Sequence, residues 1–205
     1  EEEAEKEEAE KEEAEKEEAV EAKEELTVRP ENAVTERAAE IKVTDEKVSV
    51  LFEKDDAFIS IVKDLGYKWS GSVWEKKINK FNGPAADRAA ELGNNLLNAG
   101  FPVCIQDEKI RQMAVEGTFN PEQTRWIKRR TSGKYKGWLA ISWAGFDDDL
   151  YKKARSLPGS RWSNPDVVVK VDYYREVEEF AKLYGFKLSD GAKRAIAAHK
   201  AGERG

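Results

Sequence analysis

"DDAFISIVKDLGYKWSGSVWEKKI" (residues 55–78) sets the architecture, because it reads as a helix, a turn and a strand in immediate succession. Phe58, Ile61, Val62 and Leu65 fall at i, i+3, i+4 and i+7, which gives one apolar helical face within residues 55–69. Asp55 and Asp56 occupy the first turn, where negative charge suits the helix dipole, and Gly66 closes the far end. "SVWEKKI" (72–78) then alternates as a strand. Upstream, "VSVLF" (48–52) is a strand. Downstream, "GPAADRAAELGNNLLNAG" (83–100) is a second helix with Pro84 near its start, and "FPVCI" (101–105) is a third strand. The unit is strand, helix, strand, helix, strand.

The same order returns later in the chain. "WLAISW" (138–143) reads as a strand, "DDDLYKKARSL" (147–157) as a helix, and "DVVVKV" (166–171) as a strand. "YYREVEEFAKLYG" (173–185) is a helix with Val177, Phe180, Ala181 and Tyr184 on one face, and "FKL" (186–188) begins whatever follows. A shift of 93 residues maps Asp148 to Asp55, Gly159 to Gly66, Arg161 to Lys68, Trp162 to Trp69 and Ser163 to Ser70. Both second helices end in Gly-Phe. These matches read as an internal duplication. The expected fold is α+β (α/β-like), with two tandem β-α-β-α-β repeats behind a charged helical arm. Its segments are an acidic arm and linker (1–40), a first repeat (41–106), a basic connecting segment (107–137) and a second repeat with a C-terminal helix (138–205).

The arm repeats "EEAEK" with a period of five, so Glu2–Lys6, Glu7–Lys11 and Glu12–Lys16 are favourable i, i+4 pairs. Its alanines spiral around the helix, which excludes a coiled-coil seam. Residues 1–26 hold 15 Glu and 4 Lys, a balance of −11 within a formal net charge of −6, so the remaining 179 residues carry +5. A mildly basic body behind an acidic arm suits anionic partners, and the arm reads as a solvated charged helix or as one that screens that body or engages a basic partner.

"LPGSRWSNPDVVVKV" (157–171) resembles the HARP domain that stands beside the motor in annealing helicases and in related bacterial and phage proteins. Pro158, Gly159, Arg161 and Trp162 match that family's Pro-Gly, basic-Trp hallmark, while Val169 stands where a strand tryptophan is expected. "LGYKWSGSVWEKKI" (65–78) lacks the proline but keeps Gly66, Lys68 and Trp69, and supplies Trp74 in the strand. The resemblance covers about 50 residues twice. It implies nucleic-acid binding, with a preference for junctions between single- and double-stranded DNA. The chain holds no G-x-x-x-x-G-K-[ST] phosphate loop, so it would be the module without a motor.

Independently of the resemblance, "RWIKRRTSGKYKGW" (125–138) interleaves six cations with aromatic residues and contains no acid. Arg125, Lys128, Arg129, Arg130, Lys134 and Lys136 would neutralise phosphates, while Trp126 and Tyr135 would stack on bases. Trp138 begins a strand and is expected to be buried. Lys68 and Arg161 are expected as exposed phosphate contacts, with Trp69 and Trp162 wedged inside between helix and strand.

Catalysis is not expected. Asp147, Asp148 and Asp149 start a helix and point in different directions, which fits N-capping better than a metal cluster. The only histidine, His199, has no partner for zinc, and no cofactor is indicated. The only cysteine, Cys104, reads as a buried, inert thiol and rules out an intrachain disulfide. No apolar run long enough to span a bilayer and no signal pattern is present, which suits a cytoplasmic protein. The first residue is Glu rather than Met, as in a trimmed or partial chain.

The function that follows is a non-enzymatic nucleic-acid-binding accessory protein acting on single-stranded or forked DNA in replication, repair or annealing. The alternative is a protein–protein module, such as a phage-encoded inhibitor or virion component, whose acidic arm engages a basic partner surface.

Overall fold

The computed structural model describes residues 2–204, and the chain divides into two compact units, with the boundary between Glu122 and Gln123. The fold is α+β, with one mixed sheet in each unit. The first unit runs α1 (Glu2–Glu25), β1 (Thr27–Val28), β2 (Ala39–Val43), β3 (Lys47–Leu51), α2 (Asp56–Asp64), β4 (Lys68–Trp69), β5 (Trp74–Lys77), α3 (Ala85–Asn98), β6 (Val103–Ile105) and α4 (Glu108–Glu116). The second runs β7 (Trp126–Arg129), β8 (Leu139–Ser142), α5 (Asp148–Arg155), β9 (Arg161–Ser163), β10 (Asp166–Val169), a 3-10 turn (Val171–Tyr173), α6 (Tyr174–Tyr184), β11 (Lys187–Leu188) and α7 (Asp190–Arg204).

The strand orders are β1-β6-β2-β3-β5-β4 and β11-β7-β8-β10-β9. With β1 set aside, the two sheets share one connectivity. The first two strands form a hairpin, a helix leads to a second hairpin, and a further helix returns the last strand parallel to the first. Each unit is therefore β-β-α-β-β-α-β-α rather than the expected β-α-β-α-β. The additional strands are β2, β4, β7 and β9, of which β2 crosses the expected boundary between linker and first repeat and the others are short or charged. β4 and β9 have two and three residues, and β7 lies inside the cationic run, where Ile127 is its only buried residue. The segment expected to connect the repeats divides between them. α4 belongs to the first unit, and β7 is an inner strand of the second.

The helices pack on one face of each sheet. Val48, Val50, Phe58, Val62, Leu92 and Leu96 are fully buried in the first core, and Ile127, Leu139, Ile141, Val167, Val169 and Val177 in the second. Asp55 caps α2 by accepting from the Phe58 N–H, and Asp147 caps α5 by accepting from the Leu150 N–H, both at 2.9 Å. The counterpart of Asp55 is thus Asp147, one residue before the position given by the 93-residue shift. Asp148 and Asp149 pair instead with Lys152 and Lys153 at 2.8 and 2.6 Å.

Glu2–Glu25 form the helix expected of the arm, and none of that helix's side chains is buried. It joins the body at its last turn, through Lys23 to Glu40 at 2.8 Å and Glu24 to Arg29 at 2.8 Å. Cys104, expected to be buried, is half-buried beside β1, because a two-residue strand covers only part of β6. Among the described residues, no helix is long and apolar enough to cross a membrane.

Candidate nucleic-acid interface

Both units build the same corner where the first helix gives way to the second hairpin. In the first unit Gly66 has φ +86°, and a Cβ there would lie 3.1 Å from Lys76 Nζ, so the turn favours glycine for both conformation and space. The Tyr67 N–H donates back to the Val62 carbonyl at 2.9 Å, which stops α2 and starts β4. Lys76, reaching across from β5, donates to the Leu65 carbonyl at 2.5 Å and to Glu122 at 2.6 Å. In the second unit Gly159 has φ +61°, and the Ser160 hydroxyl donates to the Arg155 carbonyl at 2.7 Å. Different side chains thus fasten the same helix end to the same hairpin.

The tryptophans depart from expectation. Trp69 is 53% exposed and Trp162 is 45% exposed. Register supplies the reason. Trp162 pairs with Val167, then Ile141, then Ile127, a row buried except at its outer end. Trp69 likewise extends the row of Trp74, Val50 and Ile41. Each indole lies on the helix-bearing face, as expected, but at the sheet edge, where the helix covers only part of it. Trp69 tilts against Trp74 at 57° with ring centroids 5.5 Å apart, and Trp162 meets Tyr151 of α5 edge-to-face at 5.6 Å.

Lys68 and Arg161 are exposed, as expected. Strand alternation turns them to the opposite face from their tryptophans, in register with Glu75 and Val168. On the tryptophan side each adjacent helix supplies a cation. Lys63 lines the groove beside Trp69, and Arg155 donates to the Tyr151 hydroxyl at 3.0 Å. Sequence reading missed both, although each stands four residues after the helical residue it accompanies, Ile59 or Tyr151, on one helical face. In the first unit the corner encloses a groove of about 710 Å³ between Phe52, Ile59, Tyr67, Trp69 and Trp74. Behind it the Tyr67 hydroxyl is buried, and burial together with Glu122 and Glu91 raises its pKa well above the ordinary tyrosine value.

The expected basic segment is not one surface. Arg125 donates to the Tyr184 carbonyl at 2.6 Å and lies over the Phe186 ring. Arg130 donates to the Ser163 carbonyl at 2.6 Å and pairs with Asp166 at 3.3 Å. Both arginines hold the second sheet together. The Asp166 carboxyl is raised above the ordinary aspartate value by burial, which Arg130 opposes. Trp126 donates from its indole to the Gln123 carbonyl at 2.8 Å, Lys128 is half-buried in β7, and Arg129 is exposed at the strand end. Lys134, Tyr135 and Lys136 share the β7–β8 loop, where Tyr135 meets Trp138 at 4.8 Å and Lys170 lies 5.7 Å over the Trp138 ring. Trp138, expected to be buried, is half-buried, because it precedes β8 and flanks this loop.

Comparison of the chain with protein-family models, curated proteins and solved structures gives no match.

Proposed function

We propose that this is a non-enzymatic nucleic-acid-binding accessory protein that holds single-stranded or forked DNA during replication, repair or annealing. One observation carries the proposal. Each unit leaves a large indole half-exposed at the same sheet corner, with a cation from the last turn of the adjacent helix on the same side. Exposed aromatic faces stack on unpaired bases, and cations beside them neutralise phosphates without being buried. The HARP resemblance adds the preference for junctions, and the loop bearing Lys134, Tyr135 and Lys136 adds a second cationic–aromatic surface.

The test is a binding panel of the full chain against single-stranded, duplex and forked DNA of equal length at two salt concentrations. The expected result is tighter binding to the single-stranded and forked forms, weakening as salt rises. Absence of binding to all three at low salt overturns the proposal. The protein-partner reading draws support from α1, a strongly acidic helix with no buried side chain. Capture of a basic partner that depends on this helix, without DNA binding, would favour that reading.

A further inference from the structure

The two corners are built alike but lined differently. In the first, Phe52, Ile59, Trp69 and Trp74 leave a groove whose volume lies within the range of about 300–1,000 Å³ typical of small-ligand clefts. Its lining carries Lys54 and Lys63 on the tryptophan side against a single acid, Glu53, so the opening suits an anion. In the second corner Tyr151 stands where Ile59 does, and Arg155 where Lys63 does. The Tyr151 ring lies against Trp162, and the Arg155 guanidinium lies 5.9 Å over Tyr151. Rings and guanidinium contact one another there, with Tyr151 against Trp162 in place of the aliphatic Ile59.

Resting on the nucleic-acid reading above, we infer that the first-unit groove receives one unpaired nucleobase of a DNA single strand, stacked on Trp69, while the second corner grips the backbone without taking a base. Trp69 and Trp74 are inclined at 57°, so they cannot sandwich a base between parallel faces. The base lies on one indole, the half-exposed Trp69. Lys54 and Lys63 then meet the phosphates on either side. A paired base offers no free face to the groove, so duplex is excluded there by stacking rather than by charge. Arg155 presents on that face a guanidinium group suited to phosphate oxygens.

The test compares an oligothymidylate with an abasic strand of the same length and phosphate count, measured by anisotropy with the full chain. Wild type should prefer the thymidylate by between about 5-fold and about 150-fold, the range for one base on one aromatic side chain. Trp69→Ala should lower thymidylate affinity to the abasic level and leave the abasic affinity unchanged, and Trp69→Phe should keep most of the preference. Arg155→Ala should weaken both strands by the same factor. If Trp69→Ala fails to melt cooperatively, a 2-aminopurine in the strand gives the answer with wild type, since its emission should be quenched on binding. Equal wild-type affinity for the two strands, or an unquenched 2-aminopurine, overturns the base groove while the nucleic-acid reading stands. Loss of the preference in Trp162→Ala but not in Trp69→Ala overturns the assignment of the corners. No binding of either strand overturns both readings together.

Discussion

Replacing Lys76 with methionine removes the charge that fastens the first-unit corner. Lys76 is only 8% exposed, and its ammonium donates to Glu122 at 2.6 Å and to the Leu65 carbonyl at 2.5 Å. Methionine preserves most of the aliphatic packing but leaves a carboxylate and a helix-end carbonyl without their donor. Breaking a buried ion pair from one side costs about 3–5 kcal/mol. The Glu122 side chain keeps 15% of its exposure, so water reaches it and the expected cost sits near the lower limit, at about 3 kcal/mol. Urea unfolding of the full chain measures the loss. Hydrogen exchange assigns it to the first unit, which is needed because a chain of two units can unfold in more than one step. Lys76→Met/Glu122→Leu should recover most of the stability, since replacing such a pair with apolar groups is often neutral. A single-variant loss below about 1 kcal/mol, or a double variant no better than the single, refutes this account of the corner.

Trp162→Ala should cost about 2 kcal/mol in thermal or urea unfolding, because the indole is already 45% exposed and leaves little cavity; a loss beyond about 4 kcal/mol would place it in the core. Removing residues 1–22 deletes 13 Glu and 3 Lys but spares the Lys23–Glu40 pair and β1. The melting temperature should stay within about 2 °C, and DNA affinity should rise at low salt with a gain that shrinks as salt increases; unchanged affinity would remove any screening role for the arm. Asp166 is raised in the folded state, so its contribution is fully present below the ordinary value of 3.8 and is lost as pH rises through the folded value. The stability of wild type relative to Asp166→Asn should therefore grow as pH falls through that window, and a difference that shrinks contradicts the assignment.

The elements with strong apolar periodicity were legible in sequence. Phe58 and Val62 in α2, and Val177, Phe180 and Ala181 in α6, mark buried helical faces, and Val48 and Val50 mark a half-covered strand. β7 was hidden because arginine and lysine fill three positions of "WIKRR", and only its pairing with β8 and β11 makes it a strand. The duplication located the tryptophans and their cations but could not give their exposure. That depends on Trp69 and Trp162 standing on edge strands, and an edge is a property of the whole sheet. The cations beside the indoles were missed for the same reason, since Lys63 and Arg155 are ordinary helix residues until the hairpin folds back beside them.

The parallel pairing of each last strand with its first has a consequence for synthesis. Ala39 must wait for Val103, and Trp126 for Lys187, before β2 and β7 cease to be open edges. Until then a nascent unit offers an unpaired strand flanked by a finished hairpin, the kind of template that recruits a neighbouring chain. A ribosome that stalls, or a protease that cuts, anywhere inside either span would release a fragment prone to pairing with another copy, whereas interruption between Glu122 and Gln123 would release a closed first unit.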